Sequence, residues 1–246
     1  MSVLSKEEKC LMRKAGSILK DCFKVLLREV KVGVSTKVLE RKVADFIVSK
    51  NARCAFRGYK GFPGAICASK NSVVVHGIPN ERDILKDGDI ISIDIGAECG
   101  GLFADAAKTF TVGRVSDEAE RLIGVTRQAL AKGIEMATAG NHVEDISWAI
   151  QSFVESNSFS VVRSFVGHGI GTKLHEEPEV PNFGRPHKGR LLEEGMALAI
   201  EPMVNAGTSE VEILEDGWTA ITKDSRLSAH FEHTVIVGLK TAEVIT

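Results

Sequence analysis

The stretch ISIDIGAECGGLFADAAKTF sets two aspartates, Asp94 and Asp105, on apolar runs separated by Gly100 and Gly101. Paired glycines between such runs predict a β-hairpin. If Gly100 and Gly101 form a two-residue turn, Asp94 faces Ala107 and lies diagonal to Asp105; a turn at Cys99-Gly100 sets the aspartates face to face. Either register puts both carboxylates on one sheet face with Cβ atoms about 5–8 Å apart, and Ile93, Ile95, Ala104 and Ala106 on the other. Two buried like charges so close call for a shared proton or a cation between them. Taken alone, a solvated face with Ser92, Lys108 and Thr109 accounts for the pair equally well.

Three downstream segments change that balance. FVGHGIGTKLHEEPEVPNFG, MALAIEPMVNAG and SAHFEHTVIVG each place a ligand-type residue at an apolar run: His168, Glu201 and Glu232. An uncompensated carboxylate in such surroundings is costly. With Asp94 and Asp105 they supply four carboxylates and one imidazole, an oxygen-rich set suited to hard or borderline divalent ions. Four negative charges balance two such ions, whose chemistry is hydrolysis by an activated water. HExxH, GxSxG and Walker spacing are missing from the sequence.

The elements that must position these groups follow from periodicity. Ser5 and Glu8 form a capping box ahead of a helix carrying Leu11, Ala15, Ile18, Leu19, Cys22 and Leu26 and running to Gly33. A second helix starts near Ser35 or Thr36, with Leu39, Val43, Phe46 and Ile47 on one face. Strands are predicted at Ile90 to Ile95, Phe103 to Val112, Ser160 to Val166, Met196 to Met203, Glu210 to Leu214, Trp218 to Thr222 and Ala229 to Val237. Further helices are predicted at Asp117 to Thr138 and Val143 to Ser156. Short turns such as Gly100-Gly101 and Asp216-Gly217 favour antiparallel pairing, hence an α+β fold. The cluster Pro178, Pro181 and Pro186 reads as a loop beside the site, and residues 1–246 as one domain.

The 246 residues are 43% hydrophobic and 26% charged, which excludes disorder and fibre. With 31 basic and 33 acidic side chains, nothing points to DNA or a membrane as partner. The longest apolar run, Met196 to Ile200, is far shorter than the roughly 20 residues of a membrane span. The first ten residues lack a secretory h-region, so the cytoplasm is the expected location. Cys10, Cys22, Cys54, Cys67 and Cys99 show no CxxC pair and read as reduced thiols.

VVHGIP at Val74 to Pro79, IDIGA with Asp105 eleven residues after Asp94, GHGIG at Gly167 to Gly171, HEEPEVPNFG from His175, EPM at Glu201 and DGWTAITKDSRLSAHFEHT together resemble the methionine aminopeptidase family, type 1, of the M24 metallopeptidases. The resemblance spans essentially the whole chain. It implies the pita-bread (creatinase/aminopeptidase) fold, a pseudo-symmetric and mainly antiparallel sheet covered by helices. It also implies two divalent ions (Mn, Fe, Co or Zn) held by Asp94, Asp105, His168, Glu201 and Glu232, with Asp105 and Glu232 bridging. Asp94 would chelate one ion, and His168 and Glu201 the other. Glu201 would also take the proton of the attacking water, His175 would polarise the scissile carbonyl, and His76 would hydrogen-bond the peptide nitrogen.

By the same resemblance Tyr59, Phe62, Cys67, Leu174, His76 and Trp218 line a methionine pocket, and the product is a polypeptide freed of its initiator methionine ahead of a small second residue. The chain departs from the family's usual residues at Phe56, Ala104, Ala106, Leu174 and His230, none of them among the five ligands. His142, His187 and His233 are expected to be hydrogen-bonded core histidines. Too few residues separate Glu177 from Glu201 for the type 2 helical insert, and no cysteine-rich extension precedes the first helix. A monomer acting on nascent polypeptides is expected, with Arg185, His187, Lys188 and Arg190 available to touch the ribosome. Two alternatives are a proline-directed aminopeptidase or prolidase, whose members normally carry a further amino-terminal domain, and a non-catalytic scaffold, which would have lost ligands.

Overall fold

The computed structural model describes residues 3–246. Helix α1 (Lys6–Glu29) starts at the expected cap: Ser5 Oγ accepts from the Glu8 N–H at 3.2 Å, and the Glu8 carboxylate accepts the Ser5 N–H at 2.8 Å. Such a cap contributes about 1 kcal/mol. The helix ends four residues before Gly33, where Val30 turns extended. Ser35 caps α2 (Thr36–Ser49) through the Val38 N–H at 3.3 Å.

Both helices lie over one face of the hairpin Ile90–Cys99 and Leu102–Thr111. Gly100 and Gly101 both have positive φ (61° and 86°), as a two-residue turn of matching twist requires. The register follows the first of the two alternatives, Asp94 opposite Ala107 and Gly96 opposite Asp105. Ile91, Ile93, Ile95, Ala104 and Ala106 pack beneath Leu19, Cys22, Leu39, Val43 and Ile47. Full burial of each isoleucine contributes about 2 kcal/mol, which commits the opposite face, with both aspartates, to the molecule's interior seam.

The second half repeats the order of two helices followed by strands. Helices α3 (Asp117–Glu135) and α4 (Val143–Ser156) pack with Leu198, Ile200, Val204, Ala229 and Val235. The largest sheet here runs in the order Glu243–Val244, His233–Ile236, Ala197–Ile200, Val166–Gly169, Glu176–Pro181, antiparallel throughout. This is the α+β, pita-bread arrangement, and no helix among the described residues is long and apolar enough to cross a membrane.

Three segments expected as single strands are each broken. Ser160–Val161 pairs with Met203–Asn205, whereas Val166–Gly169 joins the five-stranded sheet. Ala197–Ile200 and Met203–Asn205 are separated at Glu201-Pro202, and Ser228–His230 and His233–Ile236 at Phe231-Glu232. At each break the chain passes from one sheet to another. The apolar pattern is blind to this, because both sheets bury the same side chains. The breaks free Glu201 and Glu232 from the ladder. Pro178 and Pro181 belong to a strand, not the expected loop; it is the edge strand of its sheet, where a missing N–H costs nothing.

The halves are stitched across the hairpin. Thr234 Oγ1 accepts the Asp105 N–H at 2.8 Å and lies 2.9 Å from the Asp105 carbonyl. The Glu232 N–H donates to the Ala107 carbonyl at 2.9 Å, and Thr109 Oγ1 accepts the His230 N–H at 2.9 Å. These bonds set Glu232 beside Asp105.

Candidate metal centre and its cavity

The five expected ligands meet at this seam. Asp105, His168 and Glu232 are buried, and Asp94 and Glu201 nearly so. His168 Nε2 lies 3.9 Å from Asp105 Oδ2 and 3.7 Å from Glu201 Oε1. Its Nδ1 sits 2.9 Å from the Gly169 carbonyl, which accepts the Nδ1 proton and leaves the Nε2 lone pair facing the carboxylates. Two groups of ligand atoms lie within 4.8 Å of one another, Asp105-His168-Glu232 and Glu201-His230-Glu232, sharing Glu232. His230 thus adds an imidazole outside the expected set, with Nε2 3.2 Å from Glu201 Oε2.

The cluster fits divalent cations and little else. Asp94 Oδ1, Glu232 Oε1 and His230 Nε2 are buried without a hydrogen-bond partner, a costly condition unless a cation lies among them. Burial pushes the Asp94 carboxyl up to about 7 and that of Glu201 to about 8. Burial and the neighbouring carboxylates drive Asp105 and Glu232 well above the usual range. Burial also holds His168 near about 4, so it stays neutral and able to ligate.

Removing metal should therefore make stability fall with rising pH. A carboxylate whose folded pKa is raised binds its proton more tightly when folded, so its stabilisation is lost as pH climbs through that folded value. The buried histidines oppose this only below about pH 6.5: His76, His168, His230 and His233 are lowered to about 4 and His175 to about 3, mainly by burial. From pH 6.5 to 8 the carboxylates act alone. Over that interval the folded metal-free protein holds one or two protons that the unfolded chain has already released, which costs roughly 2–4 kcal/mol, or about 5–15 °C in Tm. Calorimetric scans with and without chelator test this; a metal-free Tm that does not move across that interval contradicts it.

Beside the carboxylates opens a cavity of about 290 Å³. Tyr59, Phe62, Cys67, Leu174 and Trp218 line it, with His76, His175 and all five expected ligands. Phe62 meets Trp218 edge-on at 5.1 Å, and His76 is held edge-on by Phe165 at 5.3 Å. His76 itself has φ 60°, a left-handed conformation that a non-glycine residue adopts under local constraint. The Cys67 thiol is pushed up by burial and so lines the wall as a neutral group. His175 meets His168 edge-on, ring centroids 4.1 Å apart, and places Nδ1 2.7 Å from the Tyr59 hydroxyl.

Sequence reading missed Lys60, Val75, Ser164, Phe165, Val166 and Met203 as lining residues. Ser164 and Phe165 lie in a sheet-switching bend that reads as strand, and Met203 reads as core. Of the three histidines expected in the core, His233 is largely buried with Nδ1 3.0 Å from Thr246 Oγ1. The expectation fails for the other two: His187 is exposed on a loop, and His142 is half-buried with Nδ1 lacking a partner.

Residues 10–238 match the family described as Metallopeptidase family M24. A methionine aminopeptidase of Clostridium perfringens is 51% identical over 247 aligned residues, covering 100% of this chain and 99% of that protein. Methionine aminopeptidase 1 of Bacillus subtilis is 48% identical over 96% of this chain and 95% of its own length. The crystal structure of the methionine aminopeptidase of Thermotoga maritima superposes with a TM-score of 0.99 at 41% identity, covering 100% of this chain and 99% of that one. An Xaa-Pro dipeptidase of Bacillus anthracis shares the fold at TM-score 0.81 but only 22% identity, with 61% of that chain covered. The buried carboxylate and imidazole cluster and these likenesses converge on one assignment: the chain belongs to the methionine aminopeptidases of metallopeptidase family M24.

Proposed function

We propose that this chain removes the amino-terminal methionine from polypeptides with a small second residue. The observation that carries the reading is the convergence of Asp94, Asp105, His168, Glu201 and Glu232 at the base of a cavity walled by Tyr59, Phe62, Cys67, Leu174 and Trp218. An aromatic and thiol lining suits a thioether side chain. When bound, a divalent pair supplies Lewis acidity and activates water at neutral pH.

The chain's own groups do the rest. Glu201, raised by its burial to about 8 before any cation lowers it, takes the proton of the attacking water. Burial, with His168, Lys60 and His76 close by, lowers His175 to about 3, so its ring is neutral. Tyr59 is raised by burial and keeps its proton, which it donates to His175 Nδ1. That bond fixes the tautomer with the proton on Nε2, a donor for the carbonyl oxygen as it gains charge. His76, also neutral at about 4, hydrogen-bonds the substrate's peptide nitrogen.

Cleavage of Met-Ala-Ser and failure to cleave Ala-Pro-Ala, with added Mn(II) or Co(II), is the expected result. Cleavage of the proline peptide alone would transfer the assignment to the proline-directed branch. Failure of both, with no metal uptake by calorimetry, would leave a scaffold.

We place the enzyme in the cytoplasm as a monomer acting on nascent polypeptides, residues 1–246 forming one catalytic domain; Met1 and Ser2 lie outside the described residues. Arg185, Lys188 and Arg190 are exposed and can meet ribosomal RNA phosphates. Replacing all three with alanine should reduce ribosome co-sedimentation; unchanged co-sedimentation would rule the contact out.

A further inference from the structure

The loop after the Glu176–Pro181 edge strand folds back onto the start of α4 and brings together three side chains that take no part in the cavity. His142 precedes the first turn of α4, Asp145 lies within that turn, and His187 arrives from the loop. The Asp145 carboxylate is locked in place: Oδ2 accepts the His142 N–H at 2.7 Å and Oδ1 the His187 N–H at 2.8 Å. We propose that His142, Asp145 and His187 form a separate site for one divalent late first-row transition ion, zinc foremost, which staples this loop to α4.

The geometry carries the proposal. His142 Nδ1 is 3.7 Å from Asp145 Oδ2, and His187 Nδ1 is 3.7 Å from Asp145 Oδ1. These separations are too long for hydrogen bonds. Each ring faces a different oxygen, so a common ion would take the carboxylate through both; the separations are close to the roughly 3.4 Å between nitrogen and oxygen donors that each lie about 2.1 Å from one centre. One ligand atom from each residue lies within 4.8 Å of the others. His142 Nδ1 is buried without a hydrogen-bond partner. The imidazole rings stand nearly perpendicular, centroids 6.4 Å apart, both turned to the same carboxylate. The His187 side chain is 85% exposed and free to close the remaining few tenths of an ångström.

Two imidazoles and one carboxylate, with a fourth position open to water, select zinc, nickel, cobalt or copper over magnesium or calcium. The staple would fix a loop otherwise anchored from outside by backbone bonds such as Arg185 N–H to Glu144 Oε2 at 2.8 Å.

The test compares tag-free wild type with His142→Asn/His187→Asn by equilibrium dialysis against zinc alone at pH 7.5. Asparagine suits the position before α4 and tolerates the positive φ of 61° at His187, and Asp145 is left to hold the backbone. The wild type should retain one more zinc per chain than the double variant. Zinc should slow tryptic cleavage after Lys188 and Arg190 about fivefold or more in the wild type only. Peptidase activity should be the same in both. If the double variant does not fold, His187→Asn alone, at an exposed side chain, should weaken binding of that last zinc by about tenfold or more. Equal zinc content in wild type and either variant, or equal protection by zinc, would mean that the histidines are merely neighbours of Asp145, and overturns the site.

Discussion

Asp105→Asn is expected to reduce turnover by about a thousandfold or more and to lower metal occupancy with it. Asp105 is 3% exposed, sits between His168 and Glu232, and carries a charge that the neighbouring carboxylates already oppose. Asparagine keeps its volume, and the Thr234 bonds hold its backbone, so the fold survives. What disappears is one of the charges that a pair of divalent ions needs. The same loss of charge makes a second expectation of opposite sign. With metal removed at pH 8, the variant should melt above the wild type by several degrees, because one repelling carboxylate is gone. Activity and metal content measured on the same sample decide the first point. Near-normal turnover at full occupancy contradicts a bridging role for Asp105.

His175→Ala should cost about 10²–10³ in kcat while leaving KM and metal content close to wild type, because the lost donor acts on charge that develops during reaction. Tyr59→Phe removes only the bond that fixes the tautomer and should cost about tenfold. The order alanine below phenylalanine below wild type distinguishes an aligned donor from a packing group. Falling metal content in His175→Ala would instead make the ring a support for His168, which it contacts at 4.1 Å.

Local pattern reached far into this molecule. The Ser5-Glu8 cap, the helix Val143–Ser156 and the Asp94/Asp105 hairpin emerge at or near their expected bounds. Each depends on neighbours in sequence: a cap on residues three apart, a hairpin on two glycines between matched apolar runs. The donor types were equally legible, since carboxylates at apolar strands have few uses other than binding a cation. The likeness to the family added the roles of His76 and His175, which no periodicity suggests.

Where each strand ends was hidden. Arg163 to Phe165, Glu201-Pro202 and Phe231-Glu232 all lie where the chain changes sheets, and an apolar run reads the same whether it stays in one sheet or crosses to another. His230 illustrates the same limit: its ring faces Glu201 only because Thr109 holds its backbone across the seam.

By itself the sequence determined the helices, the central hairpin, the class of chemistry and the candidate donors, since those depend on side-chain type and short-range geometry. Only the tertiary structure decided which ligand-type groups lie together, which histidine faces the cavity and which sits on a surface loop. Such choices depend on contacts between residues as far apart as Asp105 and Thr234, whose placement follows from joining two separately packed cores.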